Sequence, residues 1–334
     1  MKINKSLIIK IVLISVVVVS VGAVLFVNGQ RSKRYEMAEK SFIGMDTVIT
    51  AKIYGDTGRE VHLQPIQNLV IGLEEKISRF KKDSEIFRLN KGEKITDTTV
   101  YSTLIPLKKF CEETDGAFDF TVGKLSDLWG IDSDKEEIPS QQEIEKVLKS
   151  VDYTKITDNG LSVSFDGKGE VDLGAVGKGI ACDMIKTYLE TTEVKGAVVS
   201  VGGSILAYGD YNKKGEKWSI AIRHPRNENE FLGIIKLAEG FVSTSGDYER
   251  YFEKDGIRYH HIFDARTGYP ASSGLISVTV VASTGMLSDA LSTACFILGA
   301  EESKALLEKY SASAVFVDEE MNITTVGEID FEKK

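Results

Sequence analysis

The chain has 334 residues, 42% apolar and 27% charged, the composition of a folded protein with a sizeable core. Its net charge is −9, and no basic tract interleaved with aromatics lies beyond the N-terminus, which argues against nucleic acid as a partner. The three cysteines, Cys111, Cys182 and Cys295, are odd in number and far apart, so they supply neither a disulfide framework nor a zinc cluster.

From the N-terminus, Lys2, Lys5 and Lys10 precede an uncharged run over residues 11–27. That approaches the roughly 20 residues of a transmembrane helix. No clear small-residue cleavage site ends it, and no cysteine follows for a lipid. Residues 1–30 read as an uncleaved signal anchor, with a cleaved signal peptide as the alternative, and 31–41 as a polar linker. Basic residues flank both ends, so charge orients the span weakly; the expected arrangement is a single-pass membrane anchor with the body outside the cytoplasm.

Residues 42–54 alternate like one strand. Helical patterns cover 62–79 and 98–115, begin again within 119–129, and return at 141–150 after a polar loop at 131–141. Strand patterns follow at 161–165, 169–173, 197–207, 217–223, 232–237, 258–263, 275–282, 313–318 and 321–326. Helices fall at 177–190, 286–298 and 301–309. Hairpin-like strand pairs with separate helices, and no repeat, predict one α+β domain over 42–328.

Four segments could carry chemistry. DLGAVGKGIACD at 172–183 brings three glycines and Lys178 to a helix start, where free N–H groups favour anions. Its spacing is neither a Walker loop nor GxGxxG, and a tight turn needing positive φ explains the glycines equally well. VSVGGS at 199–204 ends an apolar strand with a glycine pair, and reads as a ligand approach or a simple turn. In TGMLSDALSTAC at 284–295, Asp289 and Thr293 share a helix face. Their oxygens suit a hard cation such as Mg²⁺, although helix capping by Asp289 and back-bonding by Thr293 are the plainer reading. The fourth segment, 244–270, holds two of the four histidines, His260 and His261, with Asp264 close behind. Strand alternation sends the two rings opposite ways, so at most one serves a given pocket as a proton carrier.

Together and in this order, the segments resemble the ApbE family of FAD:protein FMN transferases. The matching elements are GMDT at 44–47, SRFKKDSEIFRLN at 78–90, GAFDFTVGKLSDLWG at 116–130, DLGAVGKGIACD, VGGS at 201–204, TSGDYERYF at 244–252, HHIFDARTGYP at 260–270 and SVTVVASTGMLSDALSTACFILG at 277–299. The resemblance implies a T-fold-like, two-lobed α+β body of mostly antiparallel sheets and flanking helices. It implies Mg²⁺-dependent transfer of the FMN half of FAD to a Thr or Ser hydroxyl of an extracytoplasmic flavoprotein, with release of AMP.

It further implies Mg²⁺ ligands at Asp289, Thr293 and the Ala175 carbonyl. FAD contacts are implied at Met45, Phe80, Ala117, Phe118, Asp119, Asp172, Lys178 and Phe263. His261 would be the base, with Asp264 beside it. Three positions depart from the family pattern: Ala265 replaces the usual Pro, Asp46 a common Gly, and Ser292 an acidic residue of some members. Two alternatives share the site: an Mg²⁺-dependent FAD pyrophosphatase, with water replacing the hydroxyl, and a non-catalytic, membrane-tethered FAD-binding protein.

Overall fold

The computed structural model describes residues 35–131, 133, 136–212 and 214–334. The expected anchor at 1–30 lies outside the described residues, and among those described no helix is long and apolar enough to cross a membrane.

The body is built on one eight-stranded antiparallel sheet. Its strands are β1 (Glu36–Gly44), β2 (Thr47–Gly55), β3 (Gly196–Val201), β4 (Ser204–Gly209), β5 (Gly240–Gly246), β6 (Leu275–Ala282), β7 (Ser313–Asp318) and β8 (Ile323–Val326), adjacent in that order. The single strand expected over 42–54 is therefore a hairpin. Its turn is Met45-Asp46, with φ of 51° and 57°. Both turn residues in the left-handed region match the right-handed twist of the flanking strands. The strand also starts earlier than expected, so residues 36–41, read as linker, form part of the sheet edge. Likewise 197–207 is two strands joined at Gly202-Gly203, with Gly202 at φ 58°.

The helices are α1 (Leu63–Ile77), α2 (Glu85–Asn90), α3 (Thr98–Glu113), α4 (Gly123–Trp129), α5 (Gln141–Leu148), α6 (Gly177–Leu189), α7 (Gly285–Leu298) and α8 (Lys304–Lys309). The central strands of the sheet are buried on both faces, and alternation along each strand divides its side chains. Leu206, Phe241, Val278, Ala314 and Phe316 enter the core beneath the helices. Their neighbours Ala207, Val242, Val315 and Val317 pack instead against a three-stranded sheet formed by Trp218–Arg223, Phe231–Leu237 and Phe331–Lys333. A third, smaller core gathers Leu125, Trp129, Ile144, Phe252 and Phe263. Helices and antiparallel sheets thus mix as an α+β fold requires. The strand expected at 169–173 reduces to one bridge, Val122 to Glu170.

Candidate functional site

The N-termini of α6 and α7 meet at two glycines. A Cβ on Gly179 would lie 2.0 Å from the Gly285 carbonyl oxygen, and one on Gly285 2.2 Å from the Gly179 oxygen. Neither residue has positive φ, nor do Gly174 and Gly177. The positive-φ reading of this loop is corrected: its glycines are needed for close approach.

Each helix then caps the other. Asp183 of α6 accepts the N–H groups of Gly285 and Met286 at 2.7 and 2.8 Å. Asp289 of α7 accepts the Gly179 N–H at 2.5 Å, and the Ser204 hydroxyl on its other oxygen. Burial raises the Asp183 carboxyl, helped by the nearby Asp289 charge, while the two N–H donors oppose it. Asp183 closes the glycine motif, and sequence reasoning left it without a role.

This capping bears on cation binding. The Gly179 N–H lies in the first turn of α6, where no intrahelical acceptor exists, and Asp289 supplies one. Asp289 is only 4% exposed, and Ala175 lies just ahead of the helix, before the Val176 cap. An ionised carboxylate has about four acceptor sites, and two donors leave room for a cation. Thr293 stands one turn along the same face, and its hydroxyl is 3.3 Å from that of Ser245. Ser245 also meets Ser292 at 2.8 Å, so Ser292 joins a hydroxyl seam. An all-oxygen set of Asp289, Thr293 and the Ala175 carbonyl suits a hard divalent cation. Among the described residues no group of three or more His, Cys, Asp or Glu could hold a metal. Asp289 is the carboxylate of the all-oxygen set.

Lys178 follows Gly177 at the α6 start. Its ammonium makes one long hydrogen bond among the described residues, 3.5 Å to the Gly174 carbonyl, and its stem passes beside Gly202. Met45 reaches the same place. A Cβ on Gly177 would lie 3.0 Å from the Met45 methyl, and the Met45 N–H donates to Glu74 at 2.8 Å.

The two histidines divide as alternation requires. His260 is buried and fully committed: Nε2 donates to the Ala271 carbonyl at 3.2 Å, and Nδ1 accepts the Ile262 N–H at 3.2 Å. His261 lies 3.2 Å through Nδ1 from the Arg250 carbonyl. A carbonyl can only accept, so Nδ1 carries the proton and Nε2 presents its lone pair. The His261 residue is half-buried, and its ring is strongly desolvated. That desolvation, with the Arg250 and Lys178 cations, pushes its pKa down to about 3.

Other expected residues fall elsewhere. Both Asp264 oxygens are taken by the Arg266 guanidinium at 2.7–3.3 Å, and one also by its N–H at 2.9 Å. Asp264 holds a turn, and among the described residues no hydrogen bond or ion pair joins it to the His261 ring. Ala117, Phe118 and Asp119 are buried. Phe118 meets Phe110 edge-on, and Asp119 accepts from Thr121 and the Tyr153 N–H. Phe263 stacks against Trp129 in the small core. The side chains of Phe118, Asp119 and Phe263 are thus engaged in packing and hydrogen bonds within the protein. Asp172 accepts the Gly174 N–H at 2.8 Å and pairs with Arg79 at 2.9 Å. Phe80 is 69% exposed.

A sequence profile of the ApbE family matches residues 45–316. The chain is 32% identical over 311 residues to a Treponema pallidum protein named FAD:protein FMN transferase, covering 86% of this chain and 85% of that one. An Escherichia coli protein of the same name is 31% identical, with 83% and 82% covered. A crystal structure of the ApbE protein from Thermotoga maritima superposes with a TM-score of 0.80 at 31% identity, covering 87% of this chain and 97% of that one.

Proposed function

The chain belongs to the ApbE family and is an enzyme; from that premise we propose that it transfers FMN from FAD to a Thr or Ser hydroxyl of a flavoprotein, releasing AMP. The observation that carries this reading is the crossing of α6 and α7, where Lys178 opens α6 next to the Gly179 N–H that the buried Asp289 accepts, and where the His261 imidazole is near enough to feel the Lys178 charge. FAD is the substrate, and its diphosphate would sit against Lys178 and the α6 N-terminus. Asp289, Thr293 and the Ala175 carbonyl would hold Mg²⁺, which when bound shields phosphate charge.

His261 takes the acceptor's proton on Nε2 while Arg250 fixes the ring through Nδ1. The acceptor oxygen then forms a bond to the FMN phosphorus, the bridging P–O bond breaks, and AMP carries away the electron pair. An imidazole held near 3 is a weak base. The approaching diphosphate, being anionic, raises it toward the useful range. We also read the body as T-fold-like and two-lobed. The uncharged run at 11–27 supports a membrane tether with the body and its acceptor outside the cytoplasm.

The test mixes the full-length chain in detergent with FAD and Mg²⁺, with and without a flavin-carrying acceptor domain from the same genome. AMP release with a fluorescent acceptor band after denaturation, both lost on chelation, is expected. AMP and free FMN with no band would replace transfer by pyrophosphate hydrolysis. Bound FAD without AMP would leave only a binding protein.

A further inference from the structure

Arg79 is a buried cation that the reaction as drawn does not use. Its side chain is 8% exposed and faces three carboxylates: Asp127 of α4 at 2.7 Å, Asp172 at 2.9 Å and Glu170 at 3.7 Å. The guanidinium also lies 4.1 Å from the centroid of the Phe80 ring. One face of that ring is thus backed by a fixed plane, while the side chain stays largely exposed.

We propose that Arg79 is a positioning residue that makes Phe80 a one-sided stacking platform for a planar ring of the dinucleotide; this rests on the FAD reading above. Exposed phenylalanines ordinarily sample several rotamers, and binding must then freeze them. A guanidinium pinned by three acids removes that freedom beforehand, and its flat face suits an aromatic ring as a lysine ammonium does not. The same cation holds Asp172, whose other oxygen orders Gly174 at the start of the phosphate-facing loop. Platform and loop are therefore set in register by one side chain. Local charge also assigns the ligand part. One cation among three acids repels phosphate, so a ring belongs at Phe80 and the diphosphate at Lys178.

The test is a fluorescence titration of FAD on the full chain with Phe80→Ala, Phe80→Tyr, Arg79→Lys and the Phe80→Ala/Arg79→Lys double variant. Phe80→Ala and Arg79→Lys should each raise the FAD Kd about tenfold, within the range of one ring stack. The double variant should be no weaker than the worse single, Phe80→Tyr should bind like wild type, and the loss in Arg79→Lys should appear in KM for FAD more than in kcat. Competition by FMN and by ADP then identifies the ring, as the fragment whose affinity drops in Phe80→Ala. Wild-type FAD affinity in Phe80→Ala or Arg79→Lys, or effects that multiply in the double variant, would overturn the proposal. Failure of the wild-type chain to bind FAD would instead sink the functional reading.

Discussion

Gly179→Ala tests the helix crossing most directly. The new methyl would sit 2.0 Å from the Gly285 carbonyl oxygen and 2.3 Å from its carbon. Contacts of this kind settle at about 3.5 Å, so the helices must part by an ångström or more. Both partners are backbone, and no rotamer change relieves the clash. Overpacking costs about 1–3 kcal/mol where side chains can yield, and the bond from the Gly179 N–H to the Asp289 carboxylate adds about 1.5–3 kcal/mol when stretched. A loss of about 3–5 kcal/mol should lower Tm by about 6–10 °C in a domain of this size. Gly72→Ala is the control. Gly72 lies within α1 with nothing near its absent Cβ, and alanine there should stabilise by about 0.5–1 kcal/mol. Calorimetry on both variants, with FMN transfer measured below the melting range, decides. If Gly179→Ala melts within about 2 °C of wild type and transfers normally, the crossing is not the tight joint described.

His261→Gln should bind FAD within about threefold of wild type but transfer about 10²–10⁴ times more slowly; normal transfer would remove it as the base. Asp289→Asn can still accept from Gly179 and can donate to Ser204, so its melting temperature should stay near wild type while Mg²⁺-stimulated transfer disappears. Stimulation that persists at unchanged Mg²⁺ affinity would place the ion elsewhere. The histidines also give a pH signature. His261 titrates at about 3 in the fold, and burial lowers His260 too, against about 6.5 in the unfolded chain. Below pH 6.5 the unfolded state therefore binds more protons, and stability falls as pH drops toward 3. Melting curves at pH 4–8 should show wild type losing stability faster than His261→Gln on the acid side, and a constant gap would contradict the depressed value.

Much of the fold could be read from residue order, because burial on both faces makes β6 and β7 near-continuous apolar runs, and α6 and α7 are long apolar segments with helical spacing. The misses have local causes. The β1–β2 turn uses Met45 and Asp46 at positive φ instead of glycine, so the alternation through FIGMDTVITAKIY runs on unbroken. Glycine at position 46 would relax that turn, which gives the departure from the family pattern a steric meaning. Strand β5 reads GFVSTSG, and its hydroxyls hide its buried position. At Ala265 the departure adds a bond, since its N–H donates to the Ala117 carbonyl at 3.2 Å and proline has no N–H to give. At the site, Lys178, Asp289 and the Ala175 carbonyl were visible as motif members. The consumption of Asp264 by Arg266, and the burial of Phe118 and Phe263, depend on partners that no spacing reveals.

The bond between Asp289 and Gly179 spans 110 residues of chain. Met45, Lys178, Ser204 and His261 come from equally scattered segments. A site assembled this way has high contact order, and its loop-closure entropy is recovered only when the last long-range contacts form. Catalytic competence should then arrive with the final folding step. A chain paused midway through folding should therefore be inactive.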